Sequence, residues 1–152
     1  MKTLLLLSAL AVGIAVSAQP LDGKTLYGYF KKNDIDLSIS LYQTGWYQDI
    51  DSQDGGYSNK YFVKNQNQRL ARVIDPISSG IIQYNYVGND YQKGANRIIH
   101  FFEKEGFSLQ SKTKSEGVIK SRYVNMQRKE LADITLDNEN RAMGVTLNNV
   151  EF

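Results

Sequence analysis

The chain has 152 residues and a formal net charge of only +2, with 41% hydrophobic and 22% charged residues. It contains no cysteine and a single histidine, which excludes disulfide-stabilised miniproteins and zinc modules built from Cys and His ligands. This length and balanced composition predict one ordinary folded domain rather than a multidomain enzyme or a disordered chain.

The first element predicted along the chain is a secretory signal peptide over residues 1–18. One lysine precedes an apolar stretch that begins at Leu4, and Val16 and Ala18 stand at the −3 and −1 positions of a cleavage site. The apolar stretch is shorter than the roughly 20 residues that a membrane-spanning helix needs. We therefore expect cleavage after Ala18 and a secreted or periplasmic protein. We expect the mature chain to have no transmembrane segment and to form a single β-rich domain over residues 19–152.

Short strands dominate the prediction for the first half of the mature chain. In residues 34–42, four apolar residues alternate with polar ones as they do in a half-buried strand: Ile35, Leu37, Ile39 and Leu41. Other segments rich in Tyr, Val and Ile and bounded by Gly, Asn or Asp are also predicted strands. These segments are residues 25–31, 46–51, 57–64, 69–75 and 81–87.

The pattern changes once, at a predicted amphipathic helix over residues 91–105. Its apolar residues recur at helical spacing, and Gly106 stands where a residue with a left-handed backbone would end the helix. Four further strands are predicted at residues 107–113, 118–126, 131–136 and 142–147. The helix and these strands resemble the cystatin-like arrangement of a helix wrapped by a meander. The predicted fold is α+β, a predominantly antiparallel β meander with one amphipathic helix, and the alternative is a closed calycin-like β-barrel.

Tyrosine is the compositional outlier, with ten residues, and aromatic side chains on predicted strands form the first candidate site. Such side chains combine apolar area with a polar tip, which suits stacking on a sugar ring or contact with a protein. The candidate ligand-binding residues are Trp46, Tyr47, Tyr84 and Tyr86. Strands also favour Tyr in their buried positions, so a row in the hydrophobic core is the alternative interpretation.

An acidic loop forms the second candidate site. Asp49, Asp51 and Asp54 precede a pair of glycines, and Ca²⁺ binds to several oxygen atoms from a short loop. The spacing departs from that of an EF-hand, because Gln53 stands at the fifth position and Lys60 at the twelfth. Calcium is therefore a weak cofactor hypothesis, and a polar hairpin loop is the favoured interpretation.

Basic residues late in the chain form the third candidate, an anion-binding ribbon. Its members are Lys112, Lys114, Lys120, Arg122, Arg128 and Lys129. Basic residues that alternate along a strand equally form the solvated face of a sheet, which is the favoured interpretation.

Familiar catalytic and nucleotide-binding motifs do not occur in the sequence. His100 is the sole histidine and lies on the polar face of the predicted helix, and neither a cysteine nucleophile nor a glycine-rich phosphate loop is present. We therefore expect an exported, non-catalytic domain that binds a protein, a glycan or a small ligand through a tyrosine-bearing sheet face. Nucleic acid is not an expected partner. Two alternatives remain open: a hydrolase that uses carboxylates alone, and a structural envelope protein without a ligand.

Overall fold

The computed structural model describes residues 19–54, 57–74 and 80–150, and the predicted signal peptide lies outside them. The described helices are α1 (Gly23–Phe30), α2 (Asp34–Gln43) and α3 (Tyr91–Lys104). The first four strands are β1 (Tyr47–Asp54), β2 (Tyr57–Lys64), β3 (Gln68–Ile74) and β4 (Ile81–Val87). After α3 come β5 (Ser108–Ser115), β6 (Val118–Asn125), β7 (Glu130–Asp137) and β8 (Ala142–Asn149). In this part of the chain, no helix has the length and apolar character needed to cross a membrane.

The strands form one antiparallel sheet made of two meanders. Its order is β1-β2-β3-β4-β8-β7-β6-β5, so β4 and β8 pair at the centre and β1 and β5 lie at opposite edges. The predicted α+β fold with an antiparallel meander is confirmed. The calycin-like barrel alternative is wrong, because the two edge strands lie at opposite ends of an open sheet and do not pair with each other.

All three helices contribute to the hydrophobic core on one face of this sheet. Strand β4 illustrates the division, since Ile82, Tyr84 and Tyr86 are buried and the residues between them are exposed. Apolar side chains from the helices pack against this inward face: Leu26, Tyr29, Phe30, Leu37, Leu41, Ala95, Ile98 and Phe102. Because side chains alternate along a strand, the next residues along each strand form the opposite, open face.

The strand predicted at residues 34–42 is wrong, because this segment is helix α2. Asn33 caps the helix: its side-chain oxygen accepts a hydrogen bond from the Asp36 N–H at 2.9 Å. The Asn33 amide also donates to a carboxylate oxygen of Asp36 at 2.7 Å. The first of these bonds satisfies a backbone donor that a helix start leaves free, and the second holds the capping side chain in place, so the sequence here favours a helix over a strand.

The alternating apolar pattern of α2 also contains helical spacing. Leu37 and Leu41 lie four residues apart and are buried, whereas Ile35 and Ile39 remain 74% and 49% exposed. An alternation with a period of two places residues at i and i+4, which lie on the same face of a helix. Two of the four apolar side chains are therefore buried in the core, and the other two face solvent.

The strand predicted at residues 25–31 is wrong for a related reason. Asp22 caps α1 by accepting a hydrogen bond from the Thr25 N–H at 2.8 Å. Leu26, Tyr29 and Phe30 then face the core at the i, i+3 and i+4 spacing of a helix. Both errors fall on short helices whose caps precede them in the sequence.

The helix predicted at 91–105 is confirmed as α3, and it is one of three described helices rather than the single one expected. Gly106 follows it with a φ of +86°, the left-handed backbone that ends the helix. The strands predicted after this helix are all present, with bounds that differ from the predicted ones by up to two residues.

The segment before α1 is fixed to the core by polar and apolar contacts. The Leu21 N–H donates to the Tyr84 hydroxyl at 2.9 Å, and this hydroxyl donates to Gln68 at 2.9 Å. The Gln68 amide in turn donates to the Gln19 carbonyl at 3.0 Å. Pro20 is buried against helix α3, where Gly94 provides the space that its ring needs.

Glu130 at the start of β7 is only 1% exposed and is the centre of a polar cluster. It forms an ion pair with Lys31 and accepts a hydrogen bond from the Tyr27 hydroxyl at 2.8 Å. Arg128 donates to Tyr27 at 3.0 Å and to Glu105 at 3.1 Å. These contacts connect α1, the end of α3 and the β6–β7 turn. A buried carboxylate of this kind requires a charged partner.

Candidate functional site

The open face of the sheet is a surface that the described helices leave uncovered. Directly paired residues of antiparallel strands point to the same face, so the register defines rows of side chains across the sheet. The first row contains Tyr47, Val63, Arg69, Asn85, Gly144, Thr135, Lys120 and Thr113. The second row contains Tyr61, Ala71, Gln83, Thr146, Asp133, Arg122 and Ser111. This face is therefore polar, with aromatic side chains at one end.

The structure separates the four aromatic candidates into two environments. Trp46, Tyr84 and Tyr86 belong to the hydrophobic core, with exposures of 2% or less. Tyr47 is 56% exposed, on the open face at the edge strand β1. The three buried rings cannot contact a ligand at this face. Their burial agrees with the alternative interpretation, in which tyrosines on strands form a row in the hydrophobic core.

Burial also determines the acid–base behaviour of the core tyrosines. It raises the pKa of Tyr84 well above its ordinary value, mainly because the phenolate would lose its hydration inside the core. The pKa values of Tyr86 and Tyr123 are raised for the same main reason. These hydroxyls therefore remain neutral at physiological pH, which suits the hydrogen bonds of Tyr84.

A shallow depression of about 310 Å³ lies on the open face over strands β1 to β4. We call it the Tyr61 depression. Its lining residues on the open face are Asp49, Tyr61, Val63, Arg69, Ala71, Gln83 and Asn85, and the core residues Phe62 and Leu70 lie between them along the strands. Ala71 is paired with Tyr61 on one side and with Gln83 on the other. The short Ala71 side chain between two longer ones explains why the surface is low at this point.

A β-bulge brings a carboxylate to the Tyr61 depression. The pairing of β1 with β2 shifts between Gln48 and Asp51, so two residues of β1 lie opposite Tyr61. Bulges of this kind redirect a side chain that a regular ladder would place elsewhere. Asp49 lies in this bulge and lines the depression from the edge of the sheet.

The polar groups of the Tyr61 depression are free to bind a ligand. Asp49, Arg69, Gln83 and Asn85 are exposed, and their side chains form no hydrogen bond or ion pair with other described residues. The hydroxyl of Tyr61, which is 38% exposed, is also without such a partner in this part of the chain. The depression thus combines a carboxylate, a guanidinium and two amides with an aromatic ring.

The opposite half of the open face differs, because its carboxylate is paired with an arginine and only Lys120 is without an ion pair among the described residues. Arg122 donates two hydrogen bonds to the Asp133 carboxylate, at 2.8 and 2.9 Å. This pair lies at a depression of about 340 Å³ over β5 to β7. A further depression of about 390 Å³ lies over the central strands, where Gly144 has no side chain. Three depressions therefore lie across the open face. Among the described residues, the Tyr61 depression is the one whose carboxylate and guanidinium are both without a partner.

The six basic candidates do not form one ribbon. Lys120 and Arg122 lie on the open face, whereas Lys112 and Lys114 pair with residues of the other face. Arg128 and Lys129 lie in the β6–β7 turn. Because the basic groups are distributed over two faces and a turn, they present no continuous surface to a polyanion.

The acidic candidates lie in the β1–β2 hairpin, as the favoured interpretation proposed. Asp49, Asp51 and Asp54 all belong to strand β1, but the side chains of Asp51 and Asp54 lie outside the described part of the structure. Within the described residues, no group of three or more His, Cys, Asp or Glu side chains is arranged to hold a metal ion. Calcium binding by this hairpin stays a prediction.

Sequence reasoning missed Tyr61 and Arg69, the aromatic and cationic members of the Tyr61 depression. Both residues lie in segments that were correctly predicted as strands. Which residues of β1 to β4 meet on one face depends on the register, and the bulge near Asp49 alters it. No local signal in the sequence specifies that pairing.

No protein-family model matches the sequence, and no curated protein matches it. The function is therefore inferred from the geometry and chemistry of the open face.

Proposed function

We propose that the chain is a non-catalytic binding module whose open sheet face contacts a macromolecular partner. The observation that supports this most directly is the division of the sheet into a face buried by helices and a face that no described element covers. An antiparallel sheet with one packed face is stable without a cover on the other face, so the second face is available for binding.

The dimensions of the open face suit a macromolecule. The seven spacings of roughly 4.8 Å between eight strands, each about 27 Å long, give a projected area of about 900 Å². A typical partner in a stable protein complex contributes about 800 Å². A small molecule in one shallow depression would use only part of this surface.

The side chains of the open face also suit recognition. Tyr and Arg are the residue types that contribute most to binding energy at interfaces, and this face presents Tyr47, Tyr61 and Arg69 on neighbouring strands. The rest of the face is rich in Ser, Thr, Asn and Gln, which form hydrogen bonds to varied partners.

The carboxylate arrangement supports binding more than hydrolysis. A hydrolase that depends on carboxylates needs two that converge across a cleft, one of them with a raised pKa. Asp34 forms an ion pair with buried Arg72 at 3.1 Å, and Asp36 takes part in the cap of α2. Asp133 is engaged by Arg122. Hydrogen bonds from Asn140 lower the pKa of Asp137, so this group is not a proton donor.

Export belongs to the same proposal. A secreted or periplasmic module would meet its partner outside the cytoplasm, and the leader over residues 1–18 supports this location. The proposal that this protein binds rather than catalyses also fits a chain without cysteine or a clustered histidine site.

Site-specific photo-cross-linking tests the proposed function. A photo-activatable phenylalanine analogue in place of Thr146 lies near the centre of the open face, and the same analogue in place of Arg97 lies on the exposed side of α3. The cells that naturally make the protein are irradiated, and adducts are detected by gel shift and mass spectrometry.

We expect a discrete adduct from the Thr146 position and none from the Arg97 position. Because the analogue reacts with C–H bonds of proteins and of glycans, the adduct reports either class of partner. Equal labelling at both positions, or no adduct at position 146, would contradict a binding role for the open face.

A further inference from the structure

We infer that the Tyr61 depression binds a neutral sugar ring of a glycan, which makes a glycan the partner of the open face. This inference rests on the proposed function and specifies its partner. It follows from the side chains that line the depression, from their free hydrogen-bonding groups and from their summed charge.

The apolar part of the depression matches one face of a pyranose ring. Tyr61 and Val63 lie on β2, and Ala71 lies beside Tyr61 on β3. The C–H groups of a sugar ring form an apolar face that packs on an aromatic ring, and Tyr combines this area with a polar tip. The low surface at Ala71 gives the ring room between Tyr61 and Gln83.

The polar part of the depression matches the hydroxyl groups at the ring edge. The carboxylate of Asp49, the guanidinium of Arg69 and the amides of Gln83 and Asn85 each present two or more hydrogen-bonding atoms in one plane. Neighbouring hydroxyls of a sugar ring both donate and accept, so they can pair with such groups together. None of these side chains has a partner among the described residues, so binding breaks no existing hydrogen bond between them.

The charge of the depression favours a neutral sugar over an acidic one. Asp49 contributes one negative charge and Arg69 one positive charge, and no other ionisable group except the Tyr61 phenol lines the site. An anionic ligand would be attracted by Arg69 but repelled by Asp49 across a small cavity. A neutral ring satisfies both groups through hydrogen bonds without a charge of its own.

The geometry also distinguishes a glycan from a protein partner. At protein–protein interfaces, the pockets that contribute most binding energy usually hold a large side chain of the partner and exclude water. This depression has four polar groups around a small apolar floor and holds about 310 Å³. It suits a compact ligand that carries hydroxyl groups on all sides better than an aromatic or aliphatic side chain.

Affinity electrophoresis tests the inference with defined probes. The mature protein migrates through native gels that contain a neutral β-glucan, xylan, mannan or galactan, or the acidic polygalacturonate. We expect retardation by at least one neutral polysaccharide and weaker or no retardation by polygalacturonate. The soluble hexasaccharide of the retarding polymer then gives the dissociation constant by calorimetry.

Variants identify the residues responsible. We expect Tyr61→Ala and Gln83→Ala each to weaken hexasaccharide binding about tenfold or more, because each removes part of the ring contact or its hydrogen bonds. Tyr61→Phe keeps the aromatic ring and should retain most of the affinity. His100→Ala is the control, since His100 carries an exposed ring on α3, away from the open face. Melting curves confirm that each variant is folded.

Three outcomes overturn the inference, and the first two have different consequences for the proposed function. Migration unchanged by every neutral polysaccharide, together with a protein adduct at position 146, leaves the binding module in place with a protein partner. Migration unchanged by every polysaccharide, together with no adduct at that position, overturns both proposals. Binding that Tyr61→Ala leaves unaltered places the glycan elsewhere and also overturns the inference.

Discussion

Leu37 and Ile39 are adjacent members of one alternating pattern in the sequence, but they have different environments in α2. Leu37 is 1% exposed, whereas Ile39 faces solvent. We expect Leu37→Ala to lower the free energy of unfolding by roughly 2–5 kcal/mol and Ile39→Ala to change it by about 0.5 kcal/mol or less. Urea denaturation measures both. Equal losses for the two variants would contradict the helix and favour a strand with both side chains buried.

Tyr84 shows how a buried hydroxyl contributes to stability. Tyr84→Phe removes the acceptor of the Leu21 N–H and the donor to Gln68, and it leaves both groups without this partner in the core. We expect a loss of about 1–3 kcal/mol in the free energy of unfolding at neutral pH. Tyr29→Phe is a suitable control, because its hydroxyl lies 3.2 Å from Thr44 and is only part-buried. A larger loss for Tyr29→Phe would contradict the role assigned to Tyr84.

The raised pKa of Tyr84 also makes stability depend on alkaline pH. Burial keeps the folded form protonated, whereas the unfolded chain releases its phenol proton near pH 10. Stability from this group is therefore complete below about pH 10 and is lost as pH rises above that value. Lys31, whose pKa the ion pair with Glu130 raises, contributes in the same direction.

We expect the free energy of unfolding to fall steeply above about pH 10 and to fall less steeply in Tyr84→Phe. Urea titrations at several pH values between 8 and 11, a range set around the phenol pKa, measure the slope. Parallel slopes in the two proteins would show that Tyr84 does not titrate differently in the folded and unfolded states.

At the scale of elements, the strands after α3 could be predicted from the sequence because polar turns separate them clearly. Helices α1 and α2 could not be predicted from periodicity, since Leu37 and Leu41 satisfy both the strand and the helix pattern. The caps Asp22 and Asn33 were present in the sequence and indicate the helices in retrospect. Tyr84 and Tyr86 lie two residues apart and therefore share one face of β4, but this spacing does not specify which face the helices cover.

The packing of α3 against the segment before α1 depends on Gly94. A Cβ atom at this position would lie 2.5 Å from the ring of Pro20. Either the Pro20 ring or helix α3 would therefore have to move. We expect Gly94→Ala to destabilise the protein by about 1–3 kcal/mol, even though alanine favours a helix by about 1 kcal/mol. Thermal unfolding measures the change.

Gly28 in α1 provides the matched control. No neighbouring atom lies within 4 Å of a Cβ built at Gly28. The Gly28→Ala substitution therefore raises the helix propensity of α1 without creating a clash. We expect this variant to be more stable by about 0.5–1 kcal/mol. Stabilisation by both alanine variants would show that Pro20 does not pack closely on α3.

The whole sheet has a paired centre at β4 and β8 and an exposed edge at β5. Strands β4 and β8 lie in the middle of the sheet, whereas every residue of the edge strand β5 is exposed. We expect backbone amides of β4 and β8 to exchange with deuterium most slowly, and those of β5 much faster. Exchange in β5 as slow as that in β8 would indicate a cover over this edge, such as a second molecule.

The predicted signal peptide over residues 1–18 can be tested on the whole chain. We expect intact-mass analysis of the exported protein to give a chain that starts at Gln19, with or without cyclisation of that residue. Recovery of the full 152-residue chain from a secreting host would contradict cleavage after Ala18.

The pairing of β4 with β8 has a consequence for the order of folding events. Each meander consists of hairpins between strands that are neighbours in sequence, whereas β4 and β8 are separated by α3 and three strands. Closing that long loop costs entropy before its contacts form, so we expect the pairing of β4 with β8 to be the slow step of folding. Substitutions that weaken the β4–β8 joint should therefore slow refolding, and those in the outer β5–β6 hairpin should mainly accelerate unfolding. We therefore expect the pairing of β4 with β8, at the centre of the sheet, to set the speed of folding.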